Sequence, residues 1–115
     1  MDNTNIKNIK LVSELMSFCY NYGAKKVNIE IEHLDNMIQI NVSAYIKNID
    51  ASTLNEVKNR LSSPRCHEIE EYYWSLSGDD NTDSELILVG MMIDKASVTY
   101  DTKNHLLNMS CIREV

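Results

Sequence analysis

No cluster of basic residues larger than the pair Lys25–Lys26 occurs in this sequence, and the net charge is −6. Nucleic-acid binding rests on neutralising phosphates with basic side chains, so that class of partner is excluded. An anionic membrane surface is excluded on the same ground. No long apolar run is present either. The longest, Leu86 to Ile93, spans eight residues, against the roughly 20 that cross a bilayer. The opening MDNTNIKNIK is polar and has no apolar signal-peptide core. These absences lead us to expect a cytoplasmic protein. Cysteine is scarce and odd in number: Cys19, Cys66 and Cys111. That argues against a disulfide framework, and without a CxxC or HxxxH pair a zinc site is not expected. Cys66-His67-Glu68 holds ligand-type residues, but sequence neighbours rarely point at one metal. Repeats, linkers and low-complexity tracts are absent, so residues 1–115 read as one domain.

What is present is clear periodicity. Thr4 to Tyr22 reads as a helix with two adjacent apolar stripes, Ile9, Val12, Met16, Cys19 and Leu11, Leu15, Phe18, Tyr22. Lys7, Lys10, Glu14, Ser17 and Asn21 form the polar stripe. Asn3 or Thr4 can cap the start, and Gly23 stands where a helix takes its left-handed C′ residue. The period then becomes two. Val27, Ile29 and Ile31 alternate with polar residues, as do Ile38, Ile40, Val42 and Ala44 after the turn HLDN, which predicts a hairpin with one buried face.

Asp50 can cap a helix over Ala51–Leu61, which Ser62-Ser63-Pro64 stops. A third helix is expected at about Cys66–Leu76, followed by the acidic loop SGDDNTDS. Periodicity cannot separate strand from helix in the apolar run at Leu86; the reading taken is a buried helix, Ser84 to Lys95. A second hairpin follows, with Val98 and Tyr100 facing Leu107, Met109 and Cys111 across DTKN. His33 and His105, beside turns, read as surface residues. The fold class expected is α+β: a two-layer sandwich, helices on one face of a mixed, mostly antiparallel sheet, in the order αββαααββ.

Three stretches resemble the GHKL (histidine-kinase-like) ATPase domain, above all the anti-sigma-factor serine kinases. LVSELMSFCYNYG resembles the first helix, where an acidic residue precedes a magnesium-binding Asn by four positions. IQINVSAYIKNID resembles the strand and turn that carry the adenine-reading Asp-x-Gly-x-Gly. DSELILVGMMIDKASVTYD resembles the glycine-rich segment with its helix and exit strand. The resemblance implies an ATP site built from these positions.

This chain departs from that pattern at nearly every one of them. Glu14 matches the family's acidic residue, which activates the attacking group. The Asn position falls on Phe18, and a phenyl ring offers Mg²⁺ none of the oxygen donors it takes. The adenine-reading Asp falls on Ala44, and the glycines of that box on Ile46 and Asn48. The glycines of the phosphate segment fall on Asp83 and Glu85, where carboxylates block the close approach of backbone N–H groups. Each like-charge contact with a triphosphate at ~5 Å costs on the order of 3 kcal/mol at an effective dielectric near 20.

The resemblance therefore implies a non-catalytic, non-ATP-binding regulatory domain, with no cofactor and no metal. Its partners would be a regulatory protein, a second copy, or both. Two alternatives stand beside this. One is an active ATP-dependent serine/threonine kinase or ATPase with divergent boxes. The other is a small-molecule sensor using a pocket made more apolar by Ala44 and Ile46. Glu14 also reads simply as a solvated member of its polar stripe, and Asp79, Asp80, Asp83 and Glu85 as a solvated loop. Tyr72, Tyr73 and Trp74, being consecutive, spread over about 200° of a helix, so at least one is a candidate for a partner surface.

Overall fold

The computed structural model describes residues 3–75 and 86–115, and the side chains of residues 3 and 72–75 fall outside that description. The order is α1 (Asn3–Asn21), β1 (Lys26–His33), β2 (Met37–Tyr45), α2 (Ala51–Leu61), α3 (His67–Ser75), α4 (Leu86–Gly90), β3 (Lys95–Asp101) and β4 (Leu106–Glu114). This is the expected α+β sandwich, with the helices packing on a four-stranded sheet of order β1-β2-β4-β3. Among the described residues every strand pairing is antiparallel, so the sheet is not the mixed one expected.

Local chemistry sets the boundaries. Gly23 takes φ 80°, and the N–H groups of Gly23 and Ala24 donate to the carbonyls of Tyr20 and Cys19 at 3.0 Å each. That is the Schellman closure that only glycine adopts without strain. Asp50 caps α2 by accepting from Thr53 N–H at 2.7 Å, which also holds its carboxyl below the usual range. In the second hairpin the Asp101 carboxylate accepts from the N–H groups of Lys103 and Asn104. The turn ends on His105 at φ 58°. His105 is half-buried, its ring edge-on to Tyr45 at 5.8 Å, rather than a free surface residue.

The core lies between the sheet's inner face and the helices. β2 contributes Ile38, Ile40, Val42 and Ala44; β4 contributes Leu107, Met109 and Cys111; α1 contributes Leu11, Leu15, Phe18 and Cys19. Two expectations need correction. The helix predicted for Ser84–Lys95 is only Leu86–Gly90 within the described residues, because turn bonds take over at Met91–Ile93 and Asp94 N–H already donates to Ile112 of β4. Gly90 also packs against α2 so closely that an added Cβ would sit 2.3 Å from the Arg60 carbonyl oxygen. On α1 the apolar stripes are narrower than expected. Ile9 is 55% exposed and Tyr22 is exposed too, while Lys7, assigned to the polar stripe, is buried.

Candidate functional site

The positions singled out by the resemblance come from two elements and a turn. α1 carries Glu14, half-buried, and Phe18, which is 4% exposed with its ring 4.9 Å from that of Tyr22. The end of β2 brings Ala44, and the segment just after it Ile46, both fully buried. Ile46 is pinned further: its N–H donates to His105 O at 2.9 Å, and its carbonyl accepts from Tyr100 Oη at 2.7 Å. Asn48 is exposed. Phe18, Ala44 and Ile46 therefore belong to the core cluster, whereas Glu14 lies at its margin. Asp83 and Glu85 lie outside the described residues, as do Asp79 and Asp80. Tyr72, Tyr73 and Trp74 fall on α3, but their side chains lie outside the described part.

A different constellation, unmarked by any motif, holds the far end of α1. Glu70 of α3 is 3% exposed. Its carboxylate accepts from Arg113 at 2.7 Å, from Lys7 at 3.0 Å and from Arg65 at 3.2 Å. Arg113 also donates to Met92 O at 2.9 Å, and Arg65 to Asp94 at 2.8 Å and to Glu114 O at 2.7 Å. Lys7 pairs with Glu71 as well. Burial alone would push the Glu70 carboxyl up. The hydrogen bonds from Arg113 and Lys7, with the charges of Arg113 and Arg65, outweigh that and bring it down to about 2. Glu70 is thus ionised at neutral pH with its oxygens occupied, which suits a clamp and not a general base.

Sequence reasoning missed this cluster, though one signal was available. Arg113 continues the inward register Leu107, Met109, Cys111 of β4. A cation at an inward position demands a buried acid. Next to Lys7 in the chain, Asn8 is 3% exposed, and neither its Nδ2 nor its Oδ1 has a partner among the described residues.

The thiols offer little chemistry. Burial raises Cys19 to about 11 and Cys111 to about 12, so both stay protonated and poorly nucleophilic at neutral pH. Among the described residues, no three His, Cys, Asp or Glu side chains gather as a metal-binding group. None of their helices is long and apolar enough to cross a membrane.

On the outer sheet face the registers align four rows of side chains. One runs Glu32, Gln39, Ile112, Lys95, and the next Glu30, Asn41, Ser110, Ser97. At the β1 end of this face an open groove of about 410 Å³ is lined by Glu30, Ile31, Glu32 and Asn41. No protein-family model matches the chain, and no curated protein or solved structure matches it.

Proposed function

We propose that this chain is a GHKL-type regulatory domain that works by binding protein, in the cytoplasm, and that no longer binds nucleotide. The observation that carries the reading is the burial of Phe18, Ala44 and Ile46 in one core cluster. Those residues take the positions that would ligate magnesium, read adenine and give way to the nucleotide. Filled with packed side chains, such positions leave an ATP nothing to bind unless the core opens, at several kcal/mol. Glu14 is then a carboxylate without a metal to serve. The role is regulatory, exerted through a protein partner or a second copy, with neither nucleic acid nor membrane as the target.

The test is thermal melting with and without Mg-ATP. A ligand at 100 times its dissociation constant stabilises by roughly 2.7 kcal/mol, a shift of about 4–8 °C in a domain this small. No shift is expected. A shift of that size overturns the reading and favours the kinase alternative.

A further inference from the structure

The sheet has two edges, and they differ. At the β3 edge, Val98 is 5% exposed and α2 packs over the strand. At the β1 edge, Val27 and Ile29 are only half-buried, Ile31 is 41% exposed and Leu34, next along the chain, 43% exposed. Among the described residues the backbone there is free as well. Leu34 N–H donates to Met37 O at 2.9 Å across the Asp35-Asn36 turn. With Leu34 and Met37 as a hydrogen-bonded pair, the alternation of an antiparallel ladder gives β2 the backbone of even-numbered residues. The backbone N–H and C=O of Val27, Ile29, Ile31 and His33 then point to the open edge.

We propose that β1 is a dimer seam: two copies of this chain join their β1 edges antiparallel, about a two-fold axis at Ile29, into one continuous eight-stranded sheet. The sequence of the strand, KVNIEIEH, is complementary to its own reverse in this register. On the inner face Val27 meets Ile31 of the second copy and Ile29 meets its own counterpart. On the outer face Lys26 meets Glu32, and Asn28 meets Glu30. These outer pairs are the non-hydrogen-bonded ones, whose side chains stand closest. Three inner pairs, each exchanging two bonds, supply about six backbone hydrogen bonds.

Charge rejects one neighbouring register and apolar pairing the other. Sliding the copies one step toward the strand's C-terminal end sets Glu30 against Glu30. Sliding the other way keeps two Lys26–Glu30 pairs but sets Ile31 against Lys25 in place of Val27, so the apolar match is lost. The open groove lined by Glu30, Ile31, Glu32 and Asn41 lies on this edge, where the lysine of the second copy would enter it. An acidic groove and a basic side chain are complementary; the β3 edge has its apolar side already covered by α2. The seam names a partner for the protein-binding role proposed above, and the two fail separately: Mg-ATP melting tests the one, the following charge series the other.

The experiment is sedimentation equilibrium of the full chain from micromolar to millimolar concentration. The wild type is expected to dimerise. Lys26→Glu and Glu32→Lys, both at exposed positions, should each weaken the dimer about tenfold or more, since each places two like-charged pairs across the axis. The double variant Lys26→Glu/Glu32→Lys should return to within about threefold of wild type, since the pairs are restored in reverse. Ile31→Pro removes an edge N–H that β2 does not use and should abolish association while the chain stays folded. A wild type that remains monomeric overturns the proposal. So does a dimer that ignores the charge series, or a double variant no tighter than the singles.

Discussion

The two halves of α1 are held in place by opposite chemistries. From Leu11 onward the contact is apolar: Leu11, Leu15, Phe18 and Cys19 are at most 4% exposed. Before Leu11 it is polar: Lys7 reaches Glu70 and Glu71, and Asn8, next to it in the chain, is buried. The apolar half is non-directional. Each full side chain contributes about 1.5–3 kcal/mol whatever the pH. The polar half is held by a buried ion cluster, whose attraction must first offset several kcal/mol of desolvation per charge. Such a cluster adds little net stability when intact and takes much away when one member is lost. Its contribution is specificity: Lys7 on α1, Arg113 on β4 and the Arg65 segment all converge on one carboxylate, so α3 can dock in one place.

The largest effect should come from the apolar half. Phe18→Ala removes a ring that is 4% exposed and should cost about 3–5 kcal/mol in urea denaturation, nearly unchanged between neutral and mildly acidic pH. A cost below about 1 kcal/mol would mean that the ring is not a core residue. The register of the ATPase resemblance and the lost-site reading would then fall together.

Next comes the polar half. Glu70→Gln should cost about 3 kcal/mol at pH 7, because three cations lose their common counter-charge. It should also carry a pH signature that Phe18→Ala lacks. The Glu70 carboxyl lies at about 2 in the folded chain, below its ordinary 4.5. Its contribution is therefore complete above pH ~4.5 and is lost as the pH falls toward ~2. The wild type should lose on the order of 3 kcal/mol from this group over that window. Glu70→Gln, with no proton to take up, should show a shallower acid slope. Equal slopes in the two chains would mean that the ion cluster does not bear on folding.

The same contrast explains what could be read from the sequence. The hairpins were legible because Val27, Ile29, Ile31 and the β2 and β4 alternations state their faces residue by residue, and the Asp50 and Gly23 caps are local events. Lys7 was assigned to solvent because its partner Glu70 lies 63 positions away, and no period reports a pairing at that range. The shortness of α4 was hidden for the same reason. That helix gives way to a turn where Asp94 N–H is taken by the Ile112 carbonyl of β4, while the apolar run before it suits a longer helix equally well. At the candidate site, the resemblance singled out Phe18, Ala44 and Ile46. Their joint burial is a property of packing, which no local pattern in the sequence states.

The smallest predicted effect is the most discriminating. Asn8 is enclosed where the two halves of α1 meet, with both amide atoms unpartnered among the described residues. An orphaned buried amide costs about 1–3 kcal/mol relative to one that is hydrogen-bonded. Leucine has the same branched heavy-atom skeleton, somewhat more bulk and no polar atom. Asn8→Leu should therefore extend the apolar half by one residue and stabilise the chain by about 1 kcal/mol, read as a higher urea midpoint with an unchanged slope. Lys7 and Glu70 keep their bond, so the acid slope should stay that of the wild type. If Asn8→Leu destabilises instead, the amide has partners in solution, and the polar half of α1 reaches one residue further into the core than its ion cluster marks.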